Sequence, residues 1–190
     1  MRKPVLAIVA ALTMAGCQPS RPPGADVAAS AVPFDPAAAA YIKKKGAATI
    51  SGHAFWRDEK GGAINAVGEI IRLVPATPYA RARFAILYRG RRSIPASQIP
   101  TTSPDPQYAE YTRTTRAESN GRFEFDDVAP GEYFVTAQVR YRDRDEYVRL
   151  NAGVYTSVQR VGQDGGAMFE TVTVTGREEK PIKLVVTNDR

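Results

Sequence analysis

Ala117-Glu-Ser-Asn-Gly-Arg-Phe-Glu-Phe-Asp-Asp-Val-Ala-Pro-Gly-Glu-Tyr-Phe-Val-Thr-Ala137 alternates turn signals with strand signals. Asn120-Gly121 favours a tight turn because both residues tolerate a positive φ, glycine without steric cost. Phe123 and Phe125 then fall on one face of an extended segment. Pro130-Gly131 turns the chain, and Tyr133, Val135, Ala137, Val139 and Tyr141 share one face against Thr136, Gln138 and Arg140. Period-two alternation of this kind is the signature of half-buried strands.

Working outward, the same alternation recurs. Ile50, Ala54 and Trp56 oppose Ser51, His53 and Phe55 within 48–56, and Lys60-Gly61-Gly62 marks a turn. Residues 69–74 read as a strand ended by Pro75, 147–150 as the return of a hairpin turning at the charged run Asp143–Glu146, and 170–174 and 182–186 as two last strands. The expectation is an all-β, Greek-key β-sandwich of about seven strands. One segment departs from it. Thr77-Pro78 reads as an N-cap with proline in the first turn, and Ala80, Phe84, Leu87 and Tyr88 then share a helical face, predicting a short helix over 78–89. A Ser/Thr/Pro-rich surface loop follows, to about Gln107.

Residues 117–137 resemble the carboxypeptidase regulatory-like family, which has a transthyretin-like (prealbumin-like) β-sandwich. The resemblance lies in the turn-Gly-x-Phe-x-Phe pattern followed by Val-x-Pro-Gly-x-Tyr-x-Val-x-Ala. A weaker match joins Ile50-Ser-Gly, Gly61-Gly62 and the strand Ile70–Val74, so the likeness covers roughly 48–140. The chain departs by an insertion at about 75–112 that contains the predicted helix. The resemblance implies an accessory module, not a catalyst. The family's zinc peptidases need at least two His ligands, and this chain has one His in 190 residues.

The N-terminus places the protein. Arg2 and Lys3 precede the apolar run Val5–Leu12, so residues 1–16 read as a signal peptide, too short for a permanent span. Met14-Ala15-Gly16-Cys17 resembles the lipobox of bacterial lipoproteins, with Met where Leu is commoner, which implies lipidation at Cys17. Gln18 stands where an inner-membrane retention signal has Asp, implying an outer-membrane anchor facing the periplasm. Residues 17–40 are rich in Pro and Ala and read as a disordered tether, with Phe34 its one large apolar side chain. The domain is then expected over 41–190. Losing Arg2 and Lys3 with the leader takes the formal net charge from +6 to +4.

Composition excludes several chemistries. With one Cys and one His, the chain assembles no Cys/His zinc site, no internal disulfide and no Cys–His nucleophile. His53 lies mid-strand with no partner expected, so no catalytic, cofactor-binding or metal residue is assigned. Asp126-Asp127 and Gln163-Asp-Gly-Gly166 read as turn and loop elements. Lys43–Lys45 and Asn188 are the available ends of a Lys–Asn crosslink, which related surface domains sometimes form, but no lysine sits within 48–56, the first expected strand. The strongest charge signal is local: between Glu69 and Asp105 there is no acidic residue, while Arg72, Arg81, Arg83, Arg89, Arg91 and Arg92 occur with Tyr79, Phe84 and Tyr88 interleaved. Arg81, Arg83, Arg89, Arg91 and Arg92 are therefore a candidate patch for an anionic glycan, a lipid headgroup or an envelope protein, against the plainer reading of a solvated helix face. Nucleic acid is not expected as a partner at that location.

The expected function is a non-enzymatic, lipid-anchored envelope protein that binds or scaffolds. One alternative is a carbohydrate-binding (glycan or peptidoglycan) module. It would stack sugars on exposed aromatics, with Tyr108, Tyr111 and Tyr155 as candidates because Trp56 and Tyr133 fall on core faces. A second alternative is an enzyme with its site in the insertion.

Overall fold

The computed structural model describes residues 31–151 and 154–188, with backbone alone for 143–151 and 154–163. Among these residues two sheets form a sandwich. The first contains β1 (Lys45–Arg57), β2 (Ala63–Asn65), β6 (Arg122–Val128) and β9 (Ile182–Val186). β1 is its centre, antiparallel to β2 and β6 and parallel to β9. The second runs β4 (Ser93–Pro95), β8 (Val154–Val174), β7 (Gly131–Asn151), β3 (Ile70–Pro75), β5 (Arg113–Arg116), all antiparallel. The all-β sandwich expected from the alternation is the fold observed.

The interior follows the period-two pattern. Ile50, Ala54 and Trp56 of β1, Phe123, Phe125 and Val128 of β6, and Tyr133, Val135, Ala137 and Val139 of β7 are all buried in one cluster between the sheets. Asn120-Gly121 forms the predicted turn, with Gly121 at φ 78°. The Tyr133 hydroxyl donates to the Ala129 carbonyl at 2.8 Å, tying β7 back to the turn it leaves. Tyr41 packs edge-on against Tyr133, ring centroids 5.2 Å apart, donates to the Glu132 carbonyl at 2.6 Å and accepts from the Ala76 amide at 3.1 Å. A Cβ at Gly131 would lie 2.4 Å from the Tyr41 ring, so glycine is required there by contact.

The insertion makes a third layer. α2 (Pro78–Tyr88) starts at Thr77, whose Oγ1 accepts from the Ala80 amide at 3.2 Å, and ends where Arg89 takes φ 51°. Its apolar side packs on the outer face of the second sheet: Ala80, Phe84 and Tyr88 join Val74, Ile94 and Phe134 in a second buried cluster. Phe84 stacks on Phe134 at 4.4 Å, and Phe169 stands edge-on to both.

Four expectations are corrected. The strands number nine among the described residues, because β2, β4 and β5 are three or four residues long, too short for alternation to be legible. Asp143–Glu146 is no turn: β7 runs 21 residues through it, paired with β8 from Gly131↔Val174 to Asn151↔Val154. Charge alone does not bend a chain, and no Gly or Pro falls between Gly131 and Asn151 to interrupt it. Gln163–Gly166 is likewise strand, not loop. Finally, the tether does not extend to residue 40. α1 (Pro36–Ala39), capped by Asp35, leads into a 3-10 turn at Ala40–Lys43 that buries Ile42. Phe34 stands edge-on to Tyr79, Tyr108 and Tyr111, with centroids 5.3–6.1 Å away.

The close Tyr41–Gly131 contact gives a direct test. Gly131→Ala should destabilise the fold by about 1–3 kcal/mol through overpacking, read as a lower urea midpoint at unchanged m-value. The Tyr41→Ala background should recover part of that loss, because it removes the ring the new methyl meets.

Candidate binding surface

The two sheets present different outer faces. α2 and the following loop cover the second sheet. On the first, β1 turns Ser51, His53 and Phe55 outward, between β6 and β9. Register aligns them in rows: Lys183, Ser51 and Glu124 are neighbours across the sheet, as are Val185, His53 and Arg122. Glu118 and Asn120 of the adjoining turn complete a shallow groove of about 630 Å³.

His53 is its outward-facing ring, and Phe55, the next outward residue of β1, lies beside the groove with its ring centroid 5.0 Å from that of His53 and tilted by 41°. The Arg57 guanidinium carbon lies 5.4 Å from the Phe55 centroid. His53 Nε2 donates to Asn65 Oδ1 at 2.9 Å, which fixes the ring's orientation on the sheet. Val185, 52 % exposed, adds an apolar spot beside it. The groove therefore offers the His53 ring and a valine for apolar contact, with Phe55 alongside, ringed by Ser, Asn, Glu, Arg and Lys side chains for hydrogen bonding. Sequence reading had the outward positions of Ser51, His53 and Phe55, but not their partners. Only the register with β6 and β9 brings Arg122, Glu124 and Lys183 beside them.

The insertion arginines differ in what engages them. Arg81 pairs with Glu132 and lies 5.6 Å from the Phe134 centroid. Arg83 donates to Thr102 Oγ1 and to the Thr102 carbonyl at 3.1 and 3.3 Å. Arg91 donates to Gln98 Oε1 at 3.1 Å, and Arg92 pairs with Glu170. Arg89 is the left-handed residue that ends α2. Arg81 and Arg92 thus brace the insertion onto the second sheet, while Arg83 and Arg91 tie the insertion to itself, and the interactions differ in weight. Arg81–Glu132 is solvated and contributes about 0–1 kcal/mol. Glu170 is 6 % exposed, so losing Arg92 strips the partner from a buried carboxylate.

The remaining candidates are accounted for one by one. Asp126 Oδ1 accepts from Thr49 Oγ1 at 2.8 Å, while Asp127, at φ 54°, pairs with Lys45 at 3.3 Å. Asn188 exchanges hydrogen bonds with the Arg57 backbone, accepting at 2.7 Å and donating at 3.0 Å, so it engages none of Lys43–Lys45. Tyr108 and Tyr111 form the seat for Phe34, and burial pushes the Tyr108 phenol well above the usual tyrosine range. The side chain of Tyr155 lies outside the described residues, as does Cys17. No group of three or more His, Cys, Asp or Glu residues is arranged to hold a metal among the described residues.

Comparison with known proteins adds two findings. The model of the prokaryotic membrane lipoprotein lipid attachment site matches residues 1–18, which include Cys17. The chain carries a lipoprotein anchor. Among solved structures, it is similar to one described as a "putative carbohydrate binding protein" from Pseudomonas aeruginosa. The TM-score is 0.59 at 24 % identity, over 81 % of this chain and 97 % of the other, a likeness of fold. Comparison with curated proteins gives no match.

The lipoprotein's insertion layer carries two expected outcomes. Arg92→Gln should cost about 1–3 kcal/mol of unfolding free energy, whereas Arg89→Gln should stay within about 0.5 kcal/mol. Denaturant titration of the two variants checks this; equal losses would remove the bracing role of Arg92. The second concerns Tyr88, whose hydroxyl bonds to Thr136 Oγ1 at 2.9 Å and whose pKa burial raises from 10.0 to about 12. Its contribution is complete below pH 10 and is lost as pH rises through 12. Tyr88→Phe should flatten the fall in stability over that window, read as melting temperature against pH.

Proposed function

We propose that this lipoprotein is a non-enzymatic glycan-binding protein of the bacterial envelope. It would take neutral or zwitterionic sugar chains on the outer face of its first sheet. The observation that carries this reading is that face itself: a shallow, open groove with aromatic and apolar side chains at the centre and hydrogen-bonding groups around them. Sugar rings present C–H faces that stack on aromatic rings and hydroxyl edges that bond to Asn, Glu, Arg and Lys. An open groove suits a polymer that continues past the site at both ends.

Several features support binding over catalysis. His53 is held by Asn65 and Phe55. Among the described residues, the ionisable groups lining the groove with it are Glu118, Arg122, Glu124 and Lys183. The likeness to a structure described as a putative carbohydrate binding protein points the same way at the level of fold. The Gly-x-Phe-x-Phe and Pro-Gly-x-Tyr pattern supports membership of the carboxypeptidase regulatory-like group as an accessory module. Gln18 after the lipidated cysteine supports an outer-membrane anchor facing the periplasm, where peptidoglycan is the abundant glycan.

The test is retention on purified sacculi and on a glycan panel by the wild-type protein and by His53→Ala and Phe55→Ala. Both residues face outward, so both variants should keep the wild-type urea midpoint to within about 0.5–1 kcal/mol. Each should lose at least about tenfold in affinity, the scale of one lost ring–sugar contact. A wild-type protein that binds neither sacculi nor any glycan on the panel removes the reading.

A further inference from the structure

We infer that a second site, at the end of the sandwich where the anchored chain joins it, docks the phosphate headgroups of an anionic membrane. The site is a groove of about 370 Å³ lined by Ile42, Lys43, Lys44, Lys45, Glu110, Thr112, Arg113 and Asp127. Four cations and two carboxylates face it. Lys45 is balanced by Asp127 at 3.3 Å, yet its side chain stays 80 % exposed. Lys43 Nζ sits 3.6 Å from the centroid of the Tyr111 ring. Arg113 is held by the Asp126 and Asp127 carbonyls at 2.5 and 3.4 Å, which aims its guanidinium without neutralising it. Lys44 caps the Ala40–Lys43 turn through its backbone amide alone, and its side chain is exposed. The excess is positive, and its donors are ammonium and guanidinium groups, the two chemistries that recognise phosphate.

Position identifies the occupant. Tyr111 carries Lys43 over its ring and also receives Phe34 edge-on at 5.5 Å. The chain arriving from Cys17 therefore meets the folded body at Tyr111, which stands between the groove-lining Glu110 and Thr112 and under the groove-lining Lys43. Residues 18–30 span at most about 40 Å even when extended. A site tied this closely to a lipid anchor sees headgroups at an effective concentration far above that of any free solute. Basic clusters beside an anchor add to it the electrostatic attraction of an anionic surface, and that attraction is screened by salt. The five insertion arginines lack this placement and are mostly engaged elsewhere. The charge excess that the sequence concentrates in the insertion is thus not the one that faces the membrane.

The experiment removes the lipid so that the groove alone is read. The mature chain, residues 17–190 with Cys17→Ala and so with neither leader nor lipid, is sedimented with vesicles of phosphatidylcholine, or of phosphatidylcholine with 30 mol % phosphatidylglycerol. It should bind the anionic vesicles at least about tenfold better, and 0.5 M NaCl should abolish the difference. Lys43→Gln/Lys44→Gln/Lys45→Gln should lose that preference. Replacing the same three lysines by Arg should keep it, which separates loss of charge from loss of fold, and Arg89→Gln/Arg91→Gln should also keep it. Equal binding to both vesicles overturns the inference, as does an undiminished preference in the triple Gln variant. Suppression of vesicle binding by 10 mM inorganic phosphate at constant ionic strength also overturns it, because that outcome marks a site for free phosphate. Glycan binding plays no part in the readout, so the two sites stand or fall separately.

Discussion

The structure depends on one close contact, the Tyr41 ring laid against Gly131. β6 belongs to the first sheet and β7 to the second, so residues 129–130 carry the chain between them. The Tyr133 hydroxyl closes that crossover onto Ala129, and Tyr41 closes it from outside, bonded to the backbone of both Glu132 and Ala76. A side chain at residue 131 would push Tyr41 off and release β7, β3 and the N-terminal segment together. Each hydrogen bond alone contributes only about 1 kcal/mol. Their joint effect is larger because one ring position satisfies all of them. The same contact fixes the end of the sandwich at which the lipid-anchored segment arrives.

A second constraint decides which face is left for function. The near-continuous apolar run Tyr133–Val139 buries β7 on both sides, against the first sheet and against α2. Around Phe134 the second sheet therefore gives its outer face to α2. Glycines tighten this arrangement further. A Cβ at Gly166 would lie 2.5 Å from the Trp56 ring and 2.2 Å from the Ile94 carbonyl; one at Gly165 would lie 2.1 Å from the Val139 carbonyl. Gly165-Gly166 is thus a place where ring and backbone approach a strand, which is why a pair that reads as a loop is a strand. The first sheet, covered by no helix among the described residues, keeps its outer face open.

What was legible in the sequence follows from how local each signal is. Asn120-Gly121, Phe123/Phe125, Thr77-Pro78 and the alternation through Tyr133–Val139 act within a few residues, and each produced the element it predicts. The short strands escaped because three residues carry no period. The groove escaped because it is a matter of register: nothing near His53 in the chain announces Arg122 or Lys183. The settings of the arginines are hidden for the complementary reason. Sequence shows the charges along 72–92 but hides the partners brought from afar, Glu132, Thr102 and Glu170. Lys43–Lys45, set aside as crosslink ends, gain their meaning only when Arg113 and Tyr111 arrive beside them.

The long hairpin sets the direction of the molecule. β7 leaves the 129–130 crossover, where Val128 pairs with Lys45, and its 21 residues reach about 70 Å at roughly 3.3 Å each. β3 pairs with β7 only over Tyr133–Thr136 and β4 with β8 only over Gly166–Met168, so from Arg140 onward the two strands pair with each other alone. A two-stranded ribbon with both edges open invites edge-to-edge pairing, and charge is the common defence. Ladder positions 142–146 are Arg-Asp-Arg-Asp-Glu. The run that resembles a turn therefore sits on the two-stranded part of the ladder. Because β7 begins at the lysine groove, a body docked through that groove holds the ribbon's far end away from the lipid. The open face of the first sheet then lies between the two.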